Sequence, residues 1–401
     1  MRILWLQPYF PWPCTTGGKT RQYNLLKSLH ARGHKITLLC LCKEMPSDAD
    51  ISVIEGIVDR VICMPRRPIK NWRNFSHLLF SGLPLTTVIN GFDSNLCDKM
   101  SLLLEEDWDI VQLEHSYFYE SFYQANKKPK KNFIITEHNI ESRMGKSVLG
   151  KLPAIFHPLI TIDDKRYQQL ERQVFSDASH ILAVTEHDKK YFDEHFKCPV
   201  TLIDNGVDCS RLAHVEYQKN SHTVCFLGNF DYYPNIDAVQ WCIESIMPLV
   251  HRDLPDIRFK VFGHNCQAVR DQVADHDWLE WGGFVESLDD VYKQAGVFLT
   301  PIRHGGGSKL KVLEAMAAAM PIVGTPQAFS GLAIADLPVA EIHDSDEALA
   351  DAVVRLLNDM DFSKILSNNA REWVKRHHDW EVVIDKLETC YKEIIDEKSA
   401  S

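Results

Sequence analysis

A chain of 401 residues is longer than one hydrophobic core usually supports, so two domains are expected. Hydrophobic residues make up 45% and charged residues 25%, and no run of 18 consecutive apolar residues occurs, which excludes a membrane-spanning protein and indicates a globular one. The net charge of −11 comes from residues 201–401, where 18 Lys and Arg stand against 32 Asp and Glu. That acidic half argues against nucleic acid as a partner.

The cysteines and the first residues point to a cytoplasmic protein. Eleven cysteines are an odd number without CxxC pairs, and several lie in apolar runs, where a free thiol packs as a small hydrophobe. This favours a reducing compartment over a disulfide framework. The opening MRILWLQPYF meets prolines too early for a signal peptide, so it is predicted to be a first buried strand.

Strands and helices alternate along the first half of the chain. The strand RILWL is followed by a glycine-containing loop, a helix over TRQYNLLKSLHARG that Gly33 ends, and the strand KITLLCL. Further strands are predicted at VDRVICM, WDIVQLE, NFIITEH, HILAVTE and VTLIDNG. Alternation of this kind predicts a parallel sheet covered by helices on both faces.

The same alternation restarts after Asn205–Gly206, without a repeated sequence. Strands are predicted at HTVCFLG, IRFKVFG, VFLTPI and PIVGTP, and two or three helices over residues 345–398. The polar segment 209–221 is predicted to be the hinge. The α/β pattern therefore predicts two doubly wound domains facing a cleft, with ligands at the carboxyl ends of the strands.

Residues 301–321, PIRHGGGSKLKVLEAMAAAMP, have the composition of a phosphate site. A helix is predicted from about Lys309 to Met320, and its unpaired amides, preceded by glycines, can cradle a phosphate. Ser308 caps this helix, and the cations are Arg303, Lys309 and Lys311. The loop matches neither a P-loop nor a GxGxxG fingerprint, so nucleotide hydrolysis and hydride transfer lose support.

Glu314 extends this hypothesis to a nucleotide. It lies six residues after Ser308, roughly 9 Å along the helix at ~1.5 Å per residue, a distance that suits the hydroxyl pair of a ribose. The stretch therefore predicts a nucleoside diphosphate site. The alternative is a tight turn followed by an exposed Lys311–Glu314 ion pair worth ~0.2–0.5 kcal/mol.

Other candidate groups follow predicted strands. His138 ends IITEH, where catalytic groups of α/β folds collect; the alternative is a loop histidine bonded to a neighbour. Glu114 and His115 end VQLEH, although 18 histidines favour chance pairing there. Tyr232 and Tyr233 either stack on a base or cover a helix start. No HExxH, carboxylate-rich loop or Cys/His cluster in the sequence indicates a metal site.

Residues 66–85 mix basic residues with aromatic and aliphatic ones, and KKPKK follows at 127–131. A basic face beside apolar residues can rest on an anionic membrane, so peripheral contact with the inner face of the membrane is one hypothesis. The alternative is a core helix with solvated charges nearby. Membrane contact would suit a lipid-linked acceptor.

The segment KLKVLEAMAAAMPIVGTP resembles the C-terminal signature of the retaining GT-B glycosyltransferases of family 4, a glycine-rich loop followed by LEAMA and G-x-PVV. Further matches stand in the family's order: TTGGKTRQYNLLKSLHARGHKITLL, LAVTEHDKKYF, LIDNGVD, VCFLGNFDYYPNIDAVQWCIESIMPLV and FVESLDDVYKQAGVFLTP. The resemblance covers residues 1–332 and implies the GT-B fold. It implies a Rossmann-like acceptor domain over 1–207, completed by a helix at about 380–401, and a Rossmann-like donor domain over 208–379.

The resemblance also implies roles for individual residues. His138 is the implied catalytic residue, reaching the donor sugar, and Glu314 contacts the ribose. The implied donor-binding residues are Gly17, Gly18, Asn229, Arg303, Gly306, Gly307, Ser308, Lys309, Lys311 and Glu314. Two departures stand out: the family's second glutamate is Gly306 here, and its usual cation pair is Asn229 and Pro234. Neutralisation of the diphosphate then falls to Arg303, Lys309 or Lys311 with the helix amides.

The implied activity is transfer of a sugar, with retention of configuration, from a nucleotide-sugar to a glycan or lipid-linked acceptor in surface polysaccharide or glycoconjugate biosynthesis. This hexosyltransferase chemistry is expected to need no cofactor and no metal. Two alternatives remain: a GT-B sugar-nucleotide 2-epimerase, and a non-catalytic nucleotide-sugar-binding partner, which the departures at Gly306, Asn229 and Pro234 suggest.

Overall fold

The protein is described by a computed structural model over residues 1–67, 81–127, 131–138, 157–215, 221–285, 287–305, 310–334 and 338–400. The chain divides into two compact units. The first unit consists of Met1–Asp204 and Ile384–Ser401, and the second unit of Asn205–Val383.

A seven-stranded parallel sheet forms the centre of the first unit, in the order β3-β2-β1-β4-β5-β6-β7. Its strands are β1 Arg2–Gln7, β2 Lys35–Cys42, β3 Arg60–Pro65, β4 Ile110–Glu114, β5 Ile134–Glu137, β6 His180–Ala183 and β7 Val200–Leu202. The order reverses between β1 and β4, so this is the switch point where doubly wound sheets bind ligands.

The helices of the first unit are α1 Gly17–Ala31, α2 Asp48–Glu55, α3 Leu85–Asn90, α4 Ser94–Leu104, α5 Tyr119–Ala125, α6 His157–Asp177 and α7 Glu186–His195. Thr16 caps α1 by accepting a hydrogen bond from the backbone N–H of Lys19, so the predicted helix begins three residues earlier than its pattern indicated.

The second unit has a six-stranded parallel sheet in the order β10-β9-β8-β11-β12-β13. The strands are β8 Thr223–Leu227, β9 Arg258–Phe262, β10 Leu279–Gly283, β11 Val297–Thr300, β12 Ile322–Gly324 and β13 Glu341–Ile342. Here the order reverses between β8 and β11, and the loops after these two strands therefore define the second switch point.

The helices of the second unit are α8 Cys209–Leu212, α9 Tyr233–Trp241, α10 Met247–Asp253, α11 Gln267–Arg270, α12 Leu288–Tyr292, α13 Leu310–Ala317, α14 Asp346–Asn358 and α15 Met360–His377. A single π-helical turn, Cys242–Ile246, joins α9 to α10. The last helix, α16 Trp380–Ala400, begins in the second unit, and its residues from Ile384 onward belong to the first.

The predicted α/β class and the predicted strands are confirmed, because each apolar run of the sequence forms a strand. Two edge strands, β10 and β13, were missed, since one contains two glycines and the other has only two residues. The helix predicted to reach Met320 ends at Ala317 instead, and Ala319 adopts a left-handed φ of 51°. Among the described residues, no helix is long and apolar enough to cross a membrane.

Candidate functional site

Two loops meet at the switch point of the second unit, one after β8 and one after β11. Asn229 follows β8, and its side-chain oxygen accepts a hydrogen bond from the backbone N–H of Asp231 at 2.9 Å. Its carbonyl accepts one from the Asn235 amide at 2.8 Å. The Asn229 side chain therefore shapes the turn into α9.

Arg303 follows β11 and binds a carboxylate that the sequence did not single out. Its Nε and Nη2 donate to the two oxygens of Asp237 at 3.0 and 2.7 Å, and the guanidinium lies 4.6 Å from the centroid of the Trp241 ring. The Arg303 side chain is 43% exposed, so it can still approach a ligand. Its role at the diphosphate stays a prediction, with Asp237 as an unforeseen competitor.

Lys311 extends from α13 to the carboxyl end of β8. Its ammonium donates to the Leu227 carbonyl at 3.0 Å and to Asn235 Oδ1 at 2.7 Å, and it lies 4.4 Å from the centroid of the Phe226 ring. The cation therefore lies at the switch point itself. It supplies positive charge where the sheet order reverses, which is where a phosphate of a bound ligand is expected.

Glu314 lies one turn further along α13, partly buried. Burial raises the pKa of its carboxyl to about 7, against the opposing attraction of Arg211 and Lys311. Among the described residues, no side chain donates a hydrogen bond to this carboxyl. Arg211 is a neighbour that sequence reasoning missed, because it lies on α8, more than a hundred residues earlier. A partly buried carboxyl with a pKa raised in this way is a candidate ligand-binding group.

The glycine loop that was predicted to cradle phosphate lies largely outside the described residues, which resume at Leu310 after Gly305. Gly306, Gly307, Ser308 and Lys309 are all in that interval, so their roles stay predictions. Gly305 itself has a φ of 100°, and a Cβ there would lie 2.6 Å from the Tyr232 hydroxyl. The entry to the loop therefore requires glycine.

Gly263, at the end of β9, has the tightest backbone contact at this edge of the sheet. A Cβ there would lie 1.7 Å from the Gly228 carbonyl oxygen, and its φ is 140°. We expect Gly263→Ala to destabilise the protein by roughly 1–3 kcal/mol, measured by chemical denaturation. Gly56→Ala is the control, since Gly56 has a φ of −69° and 3.4 Å of clearance. Equal losses in the two variants would contradict this account.

In the first unit, His138 and Glu114 form a hydrogen-bonded pair at the carboxyl ends of β5 and β4. His138 Nε2 lies 3.0 Å from Glu114 Oε2, and the Gln22 amide donates to the same oxygen at 2.5 Å. Gln112 donates to the other oxygen at 2.6 Å. Glu114, for which chance pairing was favoured, is thus the direct partner of the predicted catalytic histidine.

The protonation of this pair follows from its surroundings. Burial, together with the neighbouring His115, lowers the pKa of His138 to about 4. Burial alone would raise the pKa of Glu114. The hydrogen bonds from His138 and Gln112 and the charge attraction of His138 and Arg21 outweigh burial, and the pKa is lowered. At neutral pH the pair is therefore a neutral imidazole donating to a carboxylate, an arrangement that fixes the tautomer.

Further groups at this switch point surround His138. The His115 ring stacks on it at 4.3 Å between centroids, and the Tyr9 hydroxyl lies 3.4 Å from His115 Nε2. Gly18, in the first turn of α1, faces Tyr9: a Cβ there would lie 2.9 Å from the hydroxyl oxygen. The fold thus brings Gly18 and His138, two predicted site residues, to the same edge of the sheet.

The terminal helix α16 supports the same pair. The Tyr391 hydroxyl donates to Gln112 Oε1, while the Gln112 amide donates to Glu114. Both Tyr391 and Gln112 are buried. Sequence reasoning missed this chain of contacts, since a tyrosine 279 residues away carries no local signal of its partner.

The basic segment 66–85 is described only at its ends. Arg66 donates to Asn90 Oδ1 at 2.5 Å, and Arg67 pairs with Asp93 at 2.8 Å. These two guanidinium groups thus bind protein partners. Residues 68–80, with the aromatic positions, lie outside the described residues, and membrane contact stays a prediction.

Two family models match the chain. Residues 15–211 match the model described as glycosyltransferase family 4, and residues 221–359 match the one described as glycosyl transferases group 1. The first match includes Gly18, Glu114 and His138, and the second includes Asn229, Arg303, Lys311 and Glu314.

Individual proteins are similar to the chain along nearly all of its length, at low sequence identity. A Klebsiella pneumoniae protein described as an uncharacterized 44.6 kDa protein in the cps region is 20% identical over 386 residues, 94% of this chain and 96% of its own. Sucrose-phosphate synthase from Thermosynechococcus elongatus has the same fold, with a TM-score of 0.72 at 15% identity over 100% of both chains. Anabaena HepE, solved with UDP and glucose, has a TM-score of 0.67 at 13% identity over 98% of this chain and 100% of its own.

Proposed function

This chain belongs to the family 4 and group 1 glycosyltransferases, and we propose that it is a retaining hexosyltransferase that uses a nucleotide-sugar donor and a glycan or lipid-linked acceptor. One observation supports the donor site above all others. Lys311 reaches the switch point of the second sheet, and Glu314 lies one turn further along the same helix, so a cation suited to phosphate stands near a carboxyl suited to ribose.

The donor is proposed to bind along α13. Its diphosphate lies at the amino end of this helix, near Lys311, where amides and a cation neutralise the charge. Its ribose hydroxyls donate to Glu314. HepE, which has the same fold, was solved with UDP and glucose, and this supports a nucleotide-sugar as the donor here. The relative in a cps region supports a role in surface polysaccharide biosynthesis.

In the proposed reaction, the bond between donor C1 and the diphosphate oxygen breaks while the acceptor oxygen bonds to C1 from the same face. The departing phosphate oxygen takes the proton of the acceptor hydroxyl. Lys311, Arg303 and the helix amides stabilise the leaving diphosphate, so this scheme uses no bound metal. His138, held by Glu114, orients the sugar and stabilises the positive charge that develops at C1.

Donor affinity should depend on pH through Glu314. The ionised carboxylate accepts ribose hydroxyls better than the protonated acid, and the pKa of this group is about 7. The dissociation constant of a nucleotide-sugar should therefore fall by about tenfold between pH 6 and pH 8, measured by calorimetry. Glu314→Gln should lose this dependence; an unchanged pH profile in that variant would assign the effect to another group.

The proposed activity is tested by incubating the protein with UDP-, GDP-, ADP- and dTDP-sugars, with and without glycan and lipid-linked acceptors. Nuclear magnetic resonance of the product should show the anomeric configuration of the donor. An inverted product would contradict the retaining mechanism. Conversion of a donor without any acceptor would instead identify a 2-epimerase, and binding without transfer would identify a non-catalytic partner.

A further inference from the structure

Three thiols meet on one face of the first sheet, between β2 and the edge strand β3. Cys40 and Cys42 are two residues apart on β2, so they point to the same side of the sheet. Cys63, on the edge strand β3, pairs in parallel register with Cys40. The sequence did not reveal this cluster, because the pairing of β2 with β3 is what brings Cys63 to the other two.

The geometry of the cluster is that of a ligand set. The Cys40 and Cys63 sulfurs are 3.8 Å apart, and all three sulfurs lie within 4.8 Å of one another. Three sulfurs bound to one Zn²⁺ at about 2.3 Å are ~3.8–4.0 Å from each other. The distances from the Cys42 sulfur to the other two sulfurs therefore need to shorten by at most ~1 Å for all three to bind one ion. Elsewhere among the described residues, no other group of His, Cys, Asp and Glu converges in this way.

The Cys40 and Cys63 sulfurs are within hydrogen-bond distance of each other, so the cluster can share its protons between sulfurs. Hydrogen bonds from Cys40 and Cys42 lower the pKa of Cys63 to about 4. The hydrogen bond with Cys40 and the charge of Lys19, in the first turn of α1, lower the pKa of Cys42, but the hydrogen bond with Cys63 and burial outweigh them and raise it to about 12, so a bound ion has to displace this proton. The positive end of the α1 dipole lies in the same turn. All eleven cysteines of the chain are free thiols, so no disulfide competes for these sulfurs.

We propose that Cys40, Cys42 and Cys63 form a three-thiolate site for a soft d¹⁰ metal cation, either Cu⁺ in trigonal coordination or Zn²⁺ with one outside ligand. The remaining thiol protons pass to solvent as three sulfur–metal bonds form, and no electrons are transferred. The ion joins β2 to the edge strand β3. Its role is thus separate from sugar transfer, which the proposed mechanism carries out without a metal.

The site is tested on the reduced, metal-stripped full chain, titrated separately with Cd²⁺, Zn²⁺ and Cu⁺. Thiolate-to-metal absorption and native mass spectrometry should show one ion bound per chain. Thermal unfolding should show a rise in Tm when the ion is bound. Cys63→Ser should weaken binding by more than the ~10–100-fold that loss of an outer-shell partner costs. Cys97→Ser is the matched control, a partly buried cysteine in α4 of the same unit, and it should bind as the wild type does.

A second measurement needs no substitution. Cd²⁺ should slow the alkylation of partly buried Cys63 and leave that of Cys97 unchanged, as read by peptide mass spectrometry. Equal metal affinity in the wild type and Cys63→Ser, or equal protection of the two cysteines, would overturn the proposal. Displacement of Zn²⁺ by Cu⁺ would assign the site to Cu⁺, whereas retained Zn²⁺ would assign it to Zn²⁺.

Discussion

Replacing Glu314 by alanine should weaken binding of the nucleotide-sugar donor by more than about tenfold. Hydrogen bonds to a charged group contribute about 1.5–3 kcal/mol, and ~1.4 kcal/mol is a tenfold change in affinity. Glu314 lies one turn from Lys311 on α13, so its replacement should remove the proposed ribose contact and leave the proposed phosphate contacts in place. Isothermal titration calorimetry with the preferred donor measures the effect.

Two variants separate this role from a structural one. Glu244→Ala removes an exposed acid of the same unit and should leave donor affinity unchanged. Glu314→Gln should retain the fold. The pKa of Glu314 is raised from 4.5 to about 7, so this group contributes to the stability of the folded state below about pH 4.5, and that contribution is lost as the pH rises through 7. At pH 8, removal of the charge should therefore not lower Tm. Unchanged donor affinity in Glu314→Ala would remove the ribose assignment.

Replacing His138 by alanine should lower kcat by about 10²–10³-fold, the usual cost of one group that stabilises developing charge. Most of the loss should fall on kcat and little on KM for the donor, because the proposed donor contacts are made by Glu314 and Lys311 and not by His138. Glu114→Gln should lower kcat by a smaller factor, since it weakens the acceptor that fixes the imidazole. Steady-state kinetics of sugar transfer measure both variants.

His180 offers a matched control for this experiment. It is a buried histidine at the amino end of the neighbouring strand β6, where it contacts Thr201 Oγ1 at 2.8 Å. His180→Ala should reduce stability and leave kcat close to the wild-type value. If both alanine variants lose activity to the same extent, or if His138→Ala raises KM alone, His138 has no role in the chemical step.

Much of the fold was accessible from the sequence because parallel strands buried on both faces appear as continuous apolar runs. KITLLCL and VCFL are examples, and each forms a strand in the structure. The edge strand β10 was missed because LEWGG is half polar and contains two glycines, so no period distinguishes it from a loop. In a strand of five residues that is only partly buried, the sequence has too few apolar positions to predict a strand.

The candidate site was accessible where chemistry and local spacing coincide, as for Glu314 and Lys311 on one helix. Partners from distant segments were not accessible. Asp237, which binds Arg303, is 66 residues away from it, and Tyr391 reaches Gln112 across 279 residues. The three-thiol cluster belongs to the same class, since only the register of β2 and β3 places Cys63 beside Cys40. Tertiary pairing, which local sequence does not encode, creates these contacts.

A crystal structure of the protein with its nucleotide-sugar tests the donor site most directly. The diphosphate should lie at the amino end of α13, near Lys311, and both ribose hydroxyls should donate to the Glu314 carboxylate. A nucleotide bound at another edge of the sheet, or a ribose without contact to Glu314, would contradict it.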